Sequence, residues 1–92
     1  MLHRQLRNAL EEIFGTDFLE NALNECETAE RVLSQRPADF KKAIIAFGSL
    51  NYRDEHTEFV NTIDHDLQTA LICSLLDTRT RQLVKDLGLN YL

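Results

Sequence analysis

Two cysteines, three histidines and fifteen carboxylates are the side chains of this 92-residue sequence best suited to nucleophilic, metal-binding or acid–base chemistry. Cys26 and Cys73 stand 47 positions apart, in no Cys-x-x-Cys or Cys/His cluster, so the sequence has no zinc framework. They read as small apolar core residues. A disulfide is the lesser reading, because nothing else in the sequence points to secretion. The acidic pairs Glu20/Glu27 and Asp54/Glu58 have ligand-forming side chains, but they read as solvated helix faces. Asp54, Glu55 and Glu58 fall in the first turns of an expected helix, where the helix dipole favours negative charge. His3 is near the terminus and His56 lies in an acidic turn. His65, between Asp64 and Asp66, falls mid-helix on an exposed face. The sequence carries no GxSxG, HExxH, phosphate-binding loop, dinucleotide fingerprint or EF-hand spacing. No enzyme is expected, and no catalytic, cofactor-binding or metal-ligating residue is assigned.

Two short stretches invite comparison with known families. "HDLQTA" at 65–70 resembles the His-x-Leu-Lys-Gly-x-Ala signature of histidine phosphotransfer domains, with Leu67 and Ala70 in register. That resemblance implies a phosphate-accepting His65 on a helical bundle. Gln68 replaces the lysine that would neutralise phosphate, and Thr69 replaces the glycine that lets a partner approach. At the other end, Arg79, Arg81 and Lys85 precede a Leu-Gly-Leu turn, similar to the first part of a helix-turn-helix. No recognition helix follows Gly88 within the 92 residues.

The elements that must position these groups are helices. Leu2, Leu6, Leu10 and Ile13 step by four, four and three, which places them on one stripe of a first helix ended by Gly15. Thr16 or Asp17 would cap a second helix, and Asp17 with Glu20 has capping-box-like spacing. Phe18, Leu19, Ala22, Leu23, Cys26, Ala29 and Leu33 then share its inner face, with Cys26 near the centre. Ser34 and Pro37 fit the start of a third helix carrying Phe40, Ala43, Ile44 and Phe47. Gly48 stands where a left-handed C-cap belongs. A fourth helix begins between Asn51 and Asp54, with Phe59, Val60, Ile63, Leu67, Ala70 and Leu71 inside and Asp54, Glu58, Asn61, His65 and Gln68 outside.

From 70 to 76 the fourth helix becomes apolar on every side except Ser74, so Ile72 and Leu76 continue a line that was polar one turn earlier. A helix apolar all round is buried all round. It either runs through the middle of the bundle or meets a second subunit, and self-association through Ile72 and Leu76 as a two-fold dimer is the expectation. Asp77 or Thr78 would cap a last helix carrying Leu83, Val84 and Leu87 and ended by Gly88; a continuous helix across Thr78 is the alternative. "FGSLNY" and "LGLNY" echo one another as two C-caps whose trailing leucine packs back. Period-two alternation is absent. The fold class is all-α, a compact bundle of four to five helices without sheet, in one domain covering 1–92.

Charge bounds the partners. Thirteen of the fifteen acids fall in 11–30 and 54–77, stretches free of Lys and Arg, and the net charge is -5. Such a balance disfavours direct nucleic-acid binding and anionic membranes. No apolar run reaches the length of a membrane span, and the first fourteen residues are too charged for a signal peptide, which makes a cytoplasmic location the default. The expected function is a small non-catalytic interaction module (adaptor, inhibitor or regulator of a larger protein) without cofactor. It would bind a basic protein surface through Glu20, Glu27, Asp54, Glu58 and His65, in one version by imitating nucleic-acid charge. The alternative is a dimeric DNA-binding regulator using Lys41 and Lys42 with Arg79, Arg81 and Lys85.

Overall fold

The computed structural model describes residues 3–89; Leu2, the side chain of His3 and the end of the second Leu-Asn-Tyr echo, in 90–92, lie outside it. The described chain is all-helical, in the order α1 (His3–Phe14), α2 (Thr16–Leu23), α3 (Cys26–Gln35), α4 (Pro37–Gly48), α5 (Arg53–Val60), α6 (His65–Leu76) and α7 (Thr78–Asp86). Seven helices replace the expected four to five because two expected long helices are each divided by a short turn.

α1 buries Leu10 and Ile13 and rests Leu6 on the core, as its stripe requires. Gly15 closes it through a 2.8 Å bond to the Glu11 carbonyl, then serves as N-cap of α2 at φ +85° and ψ 150°, a region open to glycine alone. Neither Thr16 nor Asp17 caps α2; the Thr16 hydroxyl bonds the Glu11 carboxylate instead. The expected second helix breaks at Asn24 and Glu25, where Glu25 adopts φ -120°, ψ 40° and its N–H closes on the Ala22 carbonyl at 2.9 Å. Asn24 itself keeps helical angles as the C-cap of α2, its N–H on the Glu20 and Asn21 carbonyls, so the departure from the helix falls at Glu25. Leu19 and Ala22 before the break, and Ala29 and Leu33 after it, remain buried, so the break bends the stripe without interrupting it. Cys26 is consequently the first residue of α3 and half-buried, not a central stripe residue.

Pro37 starts α4 as expected, although Arg36 rather than Ser34 is the residue before it and Ser34 lies inside α3. Gly48 ends α4 in helical conformation, with Ser49 as C-cap; the positive-φ glycines are Gly15 and Gly88. The echo therefore fails at its first copy. At the second, Gly88 (φ +70°) lets Leu89 N–H reach the Val84 carbonyl and its own N–H reach that of Lys85, a Schellman closure. Leu89 is buried by it, while Leu87, expected inside, is half-exposed.

The expected fourth helix breaks at 61–64. Val60, Ile63, Leu67 and Ala70 keep three-and-four spacing across the turn, which is why the pattern looks continuous. Two side chains hold the break: Asp64 accepts the Leu67 N–H at 2.9 Å as N-cap of α6, and Gln68 donates to the Val60 carbonyl at 2.6 Å. Asp77 caps α7 in the same way, accepting from the Thr80 N–H and hydroxyl at 3.0 and 2.8 Å. α6 is the axis of the molecule, packed by α1, α2, α3, α4 and α7, with α5 laid against α1. Ala70, Leu71, Ile72 and Cys73 are fully buried and Leu76 is 7 % exposed. Ile72 and Leu76 are thus covered by the chain's own helices. The apolar patch that argued for a dimer through them is interior, because a short central helix needs apolar residues on every side.

Candidate functional site

The break between α2 and α3 and the start of α6 together form an open cleft of about 410 Å³. Its wall from α2 and the turn is Phe18, Asn21, Ala22, Asn24 and Glu25; its wall from α6 is His65 and Thr69. His65 is not mid-helix. It is the first residue of α6, because Asp64 caps there, and its exposed ring stands edge-on to Phe18 with centroids 5.0 Å apart. Phe18 in turn stacks on Phe14 at 5.8 Å. Thr69, one turn further along α6, is fully buried, and its hydroxyl has no hydrogen-bond partner among the described residues. An unsatisfied buried hydroxyl costs roughly 1–3 kcal/mol, so its place at the base of a polar cleft is notable.

The phosphotransfer geometry expected of "HDLQTA" is not assembled. It requires an exposed histidine within a helix, with the next turn open to a partner. Here Gln68 is committed to the carbonyls of Val60, the last residue of α5, and Ile63 in the turn after it, and Thr69 is covered. His56 lies within α5 rather than in a turn; its Nδ1 is 2.8 Å from the Tyr52 carbonyl and its ring packs on Phe47 at 4.7 Å.

Charges segregated in sequence are partly recombined in space. Glu11 pairs with Arg7, Glu12 with Arg53 and Glu30 with Arg79, while Asp64 and Asp66 pair with Arg36 and Arg31. Asp64 is the best held, with both oxygens on the Arg36 guanidinium at 3.2 and 2.8 Å. That contact, followed by the Leu67 N–H, holds the Asp64 carboxyl below the usual aspartate range. Glu20, Glu25, Glu27, Asp54 and Glu58 are exposed and enter no ion pair among the described residues. Glu20, between Phe18 and Asn21, and Glu27, two residues after Glu25, neighbour the cleft residues in the chain without lining the cleft. Asp54 and Glu58 stand on α5, against α1, and Asp54 also accepts the Glu55 N–H.

Of the residues singled out from sequence, only His65 lines the cleft. Phe18 and Ala22 are expected on the inner face of the second helix, and Asn21, Asn24 and Glu25 lie outside its apolar stripe. The signal that was available is the pair of asparagines within a supposed helix, since asparagine favours turns and caps. Chemically the cleft offers two carboxamides, one carboxylate, an imidazole, a hydroxyl and an aromatic ring, a set suited to a cationic, hydrogen-bonding group. Among the described residues no cluster of three or more His, Cys, Asp or Glu is placed to hold a metal ion, and no helix is long and apolar enough to cross a membrane. Comparison with protein-family models, curated proteins and solved structures finds no match for the chain.

Proposed function

We propose that this chain is a small, non-catalytic, cytoplasmic interaction module that receives a basic segment of a protein partner along the cleft between α2 and α6. The observation that carries the reading is the uncompensated acid around that cleft. Glu25 shares the cleft with the unsatisfied Thr69 hydroxyl and keeps an exposed carboxylate in no ion pair among the described residues. Glu20 and Glu27 lie close by in the chain, and the arginines that meet the start of α6, Arg31 and Arg36, are taken up by Asp66 and Asp64. A lysine or arginine entering the cleft would meet Glu25, the Asn21 and Asn24 carbonyls and the Phe18 ring at once. Asp54 and Glu58 extend the negative field over α5 and would steer the same partner. With Ile72 and Leu76 interior, a different protein rather than a second copy is the natural occupant.

The test begins with a cross-linked capture from the native host, followed by association kinetics of the purified partner across ionic strength. Association should slow markedly with salt, since screening acts over about 8 Å at physiological ionic strength. A Glu20→Gln/Glu27→Gln protein should associate more slowly than one carrying Asp54→Asn/Glu58→Asn. Full binding by a protein with all four changes reduces these acids to solubilising groups.

A second reading, a DNA-binding regulator, has one observation in its favour: Lys41, Lys42, Arg81 and Lys85 are exposed and in no ion pair among the described residues. Arg79 is held by Glu30 at 3.2 Å. Duplex binding at moderate salt that is lost in Lys41→Gln/Lys42→Gln would favour it over the first.

A further inference from the structure

Cys26 and Cys73 are the sole cysteines of the sequence, and folding brings their sulfurs to 3.2 Å. Both are free thiols. The Cys73 thiol donates to the Ala22 carbonyl at 3.2 Å, and the Cys26 thiol lies 3.3 Å from the Leu23 carbonyl. The two are unequal in access. Cys26 opens α3 directly after the cleft residues Asn24 and Glu25 and is half-buried, whereas Cys73 is fully buried in α6, one turn beyond the cleft residue Thr69. A disulfide needs sulfurs about 2.05 Å apart, so closure asks for roughly 1 Å of approach. The turn at Asn24 and Glu25, the least regular backbone beside either thiol, can supply it.

We propose that Cys26 and Cys73 form a reversible dithiol–disulfide site, with Cys26 the attacking thiol, Cys73 the resolving thiol and hydroperoxides the class of oxidant. The Cys26 sulfur, its proton passing to water, attacks one peroxide oxygen. The S–O bond forms, the O–O bond breaks, and hydroxide leaves as water. The Cys73 sulfur then loses its proton and attacks Cys26; the S–S bond forms and the S–OH group departs as water. Two thiols and one hydrogen peroxide thus give one disulfide and two waters, with two electrons passing to the peroxide. Burial pushes the Cys73 thiol up, chiefly by desolvation, which keeps it protonated and leaves the first attack to the more accessible Cys26. The bond would tie the start of α3 to α6 beneath the cleft, fixing the turn that forms the cleft wall. This inference stands independently of what the cleft receives.

The experiment uses the whole chain, reduced, freed of reductant and given equimolar hydrogen peroxide at neutral pH. The expected product is a monomer lighter by two hydrogens, with a linked Cys26/Cys73 peptide after digestion, reversible by dithiothreitol. Its melting temperature should rise by roughly 15–30 °C, from closure of a loop of this length in the unfolded chain. In Cys73→Ser the reaction should stop at a Cys26 sulfenic acid that a 1,3-diketone traps, and in Cys26→Ser the remaining thiol should resist peroxide while the native circular dichroism persists. If Cys73→Ser fails to fold, the linked peptide of the unmodified chain decides alone. Sulfinic acid or intermolecular disulfide at Cys26, with Cys73 still alkylated after unfolding, overturns the proposal. So does recovery of both thiols unchanged.

Discussion

Replacing Asp64 by alanine tests the division of the expected fourth helix into α5 and α6, because the two architectures predict opposite signs. In the observed fold Asp64 is the N-cap of α6 and the anchor of Arg36. Loss of an N-cap carboxylate costs about 1 kcal/mol, with a range of roughly 0.5–2 kcal/mol. The contact with Arg36 is about half-exposed on the Asp64 side and adds up to about 1 kcal/mol, discounted for solvent screening. Asp64→Ala should therefore lose about 1–2 kcal/mol. For a domain of this size each kcal/mol is worth about 4–8 °C, so the melting temperature should fall by roughly 5–15 °C. Asp64→Asn keeps the cap acceptor and loses only the charge, so it should fall between the two. In one uninterrupted helix, alanine is the better residue and Asp64→Ala would be neutral or stabilising. Thermal unfolding of the three proteins by circular dichroism is the assay, and a melting temperature for Asp64→Ala at or above the parent refutes the break. The sign with pH follows from the depressed carboxyl. Its contribution is fully present above the unfolded aspartate value of about 3.9 and is lost as pH falls through the lower folded value. The gap between parent and Asp64→Asn should accordingly narrow below about pH 4.

Gly15→Ala should cost about 1–3 kcal/mol in chemical denaturation through backbone strain alone, since a Cβ there meets nothing within 4 Å; an unchanged midpoint would mean φ is not positive. Thr69→Val removes the unsatisfied hydroxyl at nearly constant shape and should leave stability unchanged or raise it by about 1 kcal/mol while weakening partner binding; marked destabilisation would reveal a partner for Oγ1. Ile72→Glu, which would only dissolve a dimer if Ile72 lay at a subunit interface, should unfold the chain as judged by circular dichroism, because the residue is fully buried among its own helices.

The helical class and most of the core were legible from spacing. Leu10, Ile13, Leu19, Ala22, Ala29, Leu33, Phe40, Ile44, Val60, Leu67 and Ala70 are all buried where a 3.6-residue period put them. Pro37 at a helix start, Asp77 as a cap and the turn at Gly88 were legible too, because each acts through its own local backbone. The breaks at Asn24 and Asn61 were not. Neither carries glycine or proline, and the three-and-four spacing runs on through both, so the sequence pattern contains no phase error to reveal them. Beside the local bonds of Asp64 and Gln68, what stabilises them is long-range: Arg36 reaches Asp64 across 28 positions, α2 and α3 both pack on α6, and α5 lies against α1.

The candidate sites follow the same division. The acidic excess is fixed by composition, but which carboxylates remain unpaired was decided by the folded arrangement of Arg7, Arg31, Arg36, Arg53 and Arg79. His65 is an isolated exposed histidine in sequence, and only the packing of α2 on α6 sets it against Phe18 and above Thr69. Ile72 and Leu76 show the limit most plainly. Their residues determine that they must be buried, since apolar surface leaves water wherever it can. Whether a second subunit or the same chain buries them is a matter of which helices lie within reach, and tertiary structure alone decides that, because contact depends on distance in space and not on distance along the chain.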